Sequence, residues 1–203
     1  MTALRDQFGQ IDIYLFDQLL RGRIPAGSRI LDAGCGSGRN LVYFLREGYE
    51  VFGADADPLA VEDTRRLAAA LAPTLPATNF RVEALEAMSF SDSFATVVVL
   101  SAVLHFARDE EQFRAMVAGA WRVLARGGLL FCRLASTIGI EGQIRHVSGR
   151  RYVLPDGSER FLVDERLLIN LTDELGGRLL DPLKTTVVQN QRSMTTWVLR
   201  KGA

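Results

Sequence analysis

Short apolar runs alternate along this chain with stretches whose apolar residues recur at helical spacing. SRILDA (28–33) is an apolar run that stops at a cluster of glycines, which predicts a buried strand. RNLVYFLREG (39–48) has helical spacing and a closing glycine, which predicts a helix. EVFGAD (50–55) is the next strand, and Asp57-Pro58 opens a helix that runs to about Ala72, before Pro73 and Pro76. FRVEAL (80–85) and FATVVVLS (94–101) read as strands three and four. RDEEQFRAMVAGAWRVL (108–124) is amphipathic with an acidic first turn, so it reads as a helix ended by Gly127-Gly128, and LLFCRL (129–134) is the fifth strand.

Strands separated by helices pair in parallel through right-handed crossovers. The unbroken Val97-Val98-Val99-Leu100 suits a strand covered on both faces. The expected fold is a doubly wound α/β sheet of seven strands, mainly parallel. Beyond residue 134 the texture changes. RRYVLPDGSERFLV predicts a hairpin turning at Pro155-Asp156-Gly157. A helix from Asp164 to about Leu175 precedes Gly176-Gly177, and LLDPLKTTVVQ and SMTTWVLRK read as a terminal antiparallel pair. The expected organisation is a single domain: an N-terminal helical segment (1–27), a core (28–134), a hairpin insertion or lid (135–163), and a last helix with terminal strands (164–203).

Charge narrows the partners. With 24 Lys+Arg against 24 Asp+Glu, the chain lacks the basic surplus expected of a nucleic-acid or membrane-surface binder. No apolar run approaches the roughly 20 residues that span a bilayer, and the first residues lack a signal-peptide layout. A soluble cytoplasmic protein is the expectation. Cys35 and Cys132, in the glycine loop and a core strand, suggest no disulfide framework. With His105 and His146 they show no metal-ligand spacing, so no metal is expected.

The informative segment is Asp32-Ala33-Gly34-Cys35-Gly36-Ser37-Gly38-Arg39-Asn40, between a predicted strand and a predicted helix. There a loop can turn backbone N–H groups toward a ligand, and glycine permits close approach. A dinucleotide loop needs G-x-G-x-x-G, but Arg39 occupies the last position. Asp32 and Asp55 end the first and second predicted strands, where a carboxylate can accept hydrogen bonds from a ligand. An Asp in either place also serves as a plain cap.

With these residues in place, the sequence resembles the class I S-adenosylmethionine-dependent methyltransferases, whose first motif is an acid followed by G-x-G-x-G. The resemblance runs from about Ile11 to Arg133, and more loosely to the end. Val51 to Asp55 is similar to the second family motif, Ser89 to Phe94 to the approach to strand four, and Arg122 to Gly128 to the approach to strand five. Gly38-Arg39-Asn40 and Val103-Leu104-His105-Phe106 are similar to the branch that contains the tellurite-resistance methyltransferases. The resemblance implies a Rossmann-like fold, S-adenosylmethionine as cofactor and S-adenosylhomocysteine as product. It implies that Asp32, Gly34, Cys35, Gly36, Gly38 and Asn40 lie by the methionine and ribose, Asp55 and Ala56 by the ribose, and Ala84 and Leu85 by the adenine. Ser101 would sit at the end of strand four. The family often has an acid where Ala84 stands, which leaves the adenine amine to a backbone carbonyl or Glu86.

Methyl transfer needs in-line positioning more than a dedicated catalytic group. His105, after strand four, is a candidate general base for a hydroxyl or protonated amine; its other reading is a structural His bonded to backbone. Tyr14 is placed to cover the cofactor, or is a core aromatic beside Ile11 and Leu15. Arg145, His146, Arg150, Arg151, Arg160 and Arg192 could bind an anion, but Glu141, Asp156, Glu159, Asp164 and Glu165 balance them, so a solvated mixed surface is favoured. The leading expectation is methyl transfer to a small-molecule acceptor. The alternatives are a nicotinamide-dependent oxidoreductase, against which Arg39 argues, and a non-catalytic adenosylmethionine-binding protein.

Overall fold

The structure, a computed structural model, describes residues 4–202; Met1 to Ala3 of the predicted N-terminal segment and Ala203 lie outside the described residues. Five parallel strands form the centre: β1 (Arg29–Ala33), β2 (Glu50–Asp55), β3 (Phe80–Val82), β4 (Ala95–Ser101) and β5 (Leu124–Ala135). A second, three-stranded antiparallel sheet holds β6 (Arg145–Ser148), β7 (Arg151–Val153) and β8 (Glu159–Phe161). The main sheet is completed by β9 (Gly177–Leu179), β10 (Lys184–Val188) and β11 (Arg192–Lys201), with β11 antiparallel to β5 and order β10-β11-β5-β4-β1-β2-β3. It has eight strands where seven are expected, because the stretch after Gly176 pairs as β9 with the end of β11.

Alternation along the buried strands builds two cores. Val97 and Val99 face one side, where they meet Leu15 of α2 (Ile13–Leu20), Phe44 of α3 (Val42–Arg46) and Val61 of α4 (Pro58–Leu71). Val98 and Leu100 face the other side, against α5 (Glu110–Val123) and α6 (Glu165–Glu174). In α5 the buried Phe113, Met116, Val117, Ala120 and Val123 make one stripe, and Asp109 caps its N-terminus by accepting from Gln112 N–H. A short α1 (Leu4–Phe8) precedes α2. Among the described residues no helix is long and apolar enough to cross a membrane.

Three expectations of extent are corrected. The helix expected over 39–48 is confined to Val42–Arg46, because residues 38–41 are held in turn bonds such as Leu41 N–H to Gly38 O. The third strand stops at Val82, since Leu85 turns down to pack under α5, so close that a Cβ on Gly119 would stand 2.3 Å from Leu85 O. Gly127-Gly128 does not separate helix from strand: β5 begins at Leu124 and runs through the pair, with a register break against Ala95 and Val97 that marks a bulge. The hairpin turn at 155–157 forms as expected, with Gly157 at φ 81, but β6 is an addition whose residues are all exposed and carry no alternation.

Candidate active site

The chain leaves β1 toward β2 on one side while β4 leads to β5 on the other, so a crevice opens at the carboxyl ends of β1 and β4. The glycine loop fills its floor. Gly34 and Cys35 N–H both donate to Ala54 O (2.7 and 3.1 Å), and Gly36 N–H donates to Asp55 Oδ2 (2.9 Å). Asp55 Oδ1 accepts from Asp57 N–H (3.0 Å), and Thr64 Oγ1 donates to Gly36 O (2.7 Å). Gly34, at φ +84, has no room for a side chain: a Cβ would stand 2.5 Å from Val103 Cγ2. Gly36, at φ +53, is different, because its Cβ would meet nothing within 4 Å. The backbone at Gly36 borders a cavity of about 330 Å³, lined by residues 34–37, Arg39, Asn40 and Asp55 on one side and by Ser101 to Val103 and Phe106 on the other.

Asp32 lies beneath this loop. It is 1% exposed, and neither carboxylate oxygen has a hydrogen-bond partner. Burial, opposed by Arg39 and helped by Asp55, pushes its pKa up to about 7. A buried acid with no partner is costly, which is the mark of a group arranged for a ligand. Burial first, then Asp32, push the Cys35 thiol up to about 12, so it is no nucleophile.

A second cavity of about 440 Å³ adjoins the first, and Arg39 and Ala102 line both. Arg39 Nη2 donates to Ser101 Oγ (2.9 Å). Ala102 is held at φ +63, a left-handed conformation unusual for a side-chain-bearing residue, and its N–H donates to Arg133 O (2.7 Å). Arg133 pairs with Asp12 (3.2 Å) and lies over the Tyr14 ring (4.9 Å). Asp12 in turn caps α2 and donates its own N–H to Asn40 Oδ1 (3.0 Å). The β7–β8 hairpin supplies Leu154, Asp156 and Ser158 from its turn and Arg160 from β8 to this cavity. His105 lines this cavity with Nδ1 unpartnered, and burial, aided by Arg160, lowers its pKa to about 4, so the ring is neutral at pH 7.

The structure therefore gathers Gly34, Cys35, Gly36, Asn40, Asp55 and Ser101 around one cavity, with Asp32 below it and His105 in the next. Asp32, buried at 1% exposure, and Tyr14, Gly38, Ala56, Ala84 and Leu85 stand outside both linings. Tyr14 is engaged elsewhere, its hydroxyl 2.6 Å from Thr186 Oγ1, and Gly38 lies against Leu67 and Thr64 of α4. Glu86 is bonded to Gln112 Nε2 (2.9 Å). The structure adds Arg39, Ala102 and Arg133 to the cavity walls. The signal for Arg133 was there, a charge inside the apolar run LLFCRL; nothing in the sequence marks Ala102.

Residues 30–128 match the family described as a methyltransferase domain. An S-adenosyl-L-methionine-dependent Diels-Alderase of Talaromyces variabilis is 34% identical over 113 residues, 52% of this chain and 35% of that protein. A ubiquinone biosynthesis O-methyltransferase of Cereibacter sphaeroides is 33% identical over 118 residues, 58% of this chain and 45% of that one. The chain thus spans less than half the length of these curated relatives. A solved S-adenosylmethionine-dependent methyltransferase of Methanosarcina mazei shares the fold with a TM-score of 0.72 at 21% identity, covering 91% of this chain and 97% of that one. Strand order, an acid-led glycine loop at the β1–β4 crevice and the methyltransferase-domain match over 30–128 agree, and over this core the chain is similar to the class I S-adenosylmethionine-dependent methyltransferases.

Proposed function

We propose that the protein transfers a methyl group from S-adenosylmethionine, bound in the smaller cavity, to a small-molecule acceptor in the larger one. The observation that carries this reading is the unpartnered Asp32 carboxylate beneath a glycine loop that borders a cavity, with a second cavity joined to it at Arg39 and Ala102. The residues fit the cofactor. Asp32 matches its ammonium group and Arg39, the cation opposing the charge of Asp32, matches its carboxylate. Asp55 spends one acceptor site of each oxygen on backbone N–H and keeps others for ribose hydroxyls. When bound, the cofactor supplies a methyl group on a sulfonium that leaves as a thioether.

The chain's own work is positional. Ala102 and Arg39 form the shared wall across which an acceptor atom would face the donor. The three-stranded sheet and the apolar Leu154 and Met194 limit water in the acceptor cavity. His105, neutral at pH 7, can accept the proton a hydroxyl acceptor sheds. The ubiquinone-pathway relative supports a small acceptor by its name.

The test is calorimetric titration with S-adenosylhomocysteine, followed by a screen with labelled donor. Wild type is expected to bind at micromolar level, with Asp55→Ala and Asp55→Asn weaker by tenfold or more, roughly the loss of charge-assisted bonds. No binding by folded wild type would sink the cofactor reading. Because one relative is named a Diels-Alderase, binding alone does not decide the reaction: release of S-adenosylhomocysteine in step with methylated product does.

A further inference from the structure

The arginines of the larger cavity differ in how far their charge is already answered. Arg133 faces Asp12 at 3.2 Å, which cancels both. Arg150 is tied to Glu110 and Asp164, and Arg151 to Glu159, away from the cavity. Arg192 reaches Asp156 only at 4.0 Å and is 55% exposed, while Asp156 already accepts from Ser158 N–H and Oγ. Arg160 makes no ion pair within 4.0 Å among the described residues, though its charge is felt at Asp156: its Nη1 donates to Glu159 O, and its guanidinium lies 4.9 Å from the Phe106 ring. It is half-buried, and its charge is felt at the His105 ring in the same cavity. A guanidinium with free N–H groups over an open, partly apolar cavity is a fork shaped for a carboxylate or a phosphate.

We infer that the acceptor carries an oxyanion, a carboxylate or phosphate group, held by Arg160 with help from Arg192 at the mouth of the larger cavity. Its reacting atom is then turned inward toward His105 and the junction at Ala102. The inference rests on the methyl-transfer reading and narrows it to anionic acceptors. An anion at Arg160 also offsets the charge that depresses the basicity of His105, so binding and proton acceptance support each other.

The experiment uses protein saturated with S-adenosylhomocysteine and matched probes: aromatic carboxylic acids, their neutral primary amides, and inorganic phosphate. Binding is read by calorimetry. Acids, phosphate or both are expected to bind about tenfold or more tighter than the amides, the margin of a charge-assisted pair. That preference should vanish in Arg160→Gln/Arg192→Gln and survive in Arg145→Gln, an exposed arginine of β6 outside the cavity. The double variant should keep the wild-type affinity for S-adenosylhomocysteine. The tighter of acid and phosphate names the head group. Amides binding as well as acids, no anion binding at all, or a preference retained by the double variant would overturn this inference alone. Wild type that fails to bind S-adenosylhomocysteine overturns the cofactor reading and this inference with it.

Discussion

Asp32 is the residue on which chemistry and stability conflict. Its pKa is about 7 in the fold against an ordinary 3.8, so between those values the folded chain keeps a proton that the unfolded chain has shed. Stability therefore falls as pH rises from about 4 to about 7. Asp32→Asn removes that cost and should raise Tm measurably at pH 8, with the gain fading toward pH 4. An ammonium group bound beside Asp32 draws it into the ionised form, so binding expels a proton. Affinity for S-adenosylhomocysteine should weaken about tenfold per pH unit below 7. Asp32→Asn should bind poorly and without this slope. A wild-type affinity that stays flat from about pH 8 to 5.5 would remove Asp32 from the site.

At the scale of elements, the loop between β1 and α3 uses its glycines for different ends. Gly34 lets β1 pass Val103 after β4, and Gly38 lets the loop lie on α4. Of the three, only at Gly36 would a Cβ meet nothing within 4 Å. Gly34→Ala should destabilise the fold by about 1–3 kcal/mol through overpacking and positive-φ strain, read as a loss in Tm. Gly36→Ala should cost only the strain, about 1 kcal/mol, yet lower S-adenosylhomocysteine affinity more than Gly34→Ala does relative to its Tm. Equal ratios of affinity loss to Tm loss would count against Gly36 facing a ligand.

At the scale of the molecule, ring stacking, ion pairs and hydrogen bonds fasten the three-stranded sheet to the core. Phe161 stacks on Phe113 of α5 (centroids 4.8 Å apart), and Arg151 Nη1 donates to Ala107 O (2.9 Å) beside the His105 turn. Arg151→Ala, which also loses an exposed ion pair to Glu159, should cost about 1 kcal/mol or less in stability. It should speed hydrogen exchange over residues 145–161 and raise the acceptor KM, while S-adenosylhomocysteine affinity stays put. Phe161→Ala, which empties a fully buried site, should cost about 3–5 kcal/mol, read by denaturant unfolding. If acceptor KM is unmoved when exchange in 145–161 rises, the sheet is not a wall of the acceptor site.

The sequence by itself determined the β-α alternation, because apolar runs and helical stripes are local signals that burial enforces, as at Val97 to Leu100. It also determined the acid-led glycine loop, since a sharp turn and an open backbone require glycine wherever the chain goes. Extents were less legible where a distant partner sets them: Leu85 leaves β3 to pack under α5, and β9 exists because β11 offers it an edge. Only the tertiary structure decided which charges remain unanswered. In the sequence Arg150, Arg151, Arg160 and Arg192 look alike, balanced by nearby acids. Folding spends Glu110, Asp164 and Glu159 on the first two and leaves Arg160 facing a cavity, because ion pairing depends on distances of a few ångströms that chain spacing does not fix.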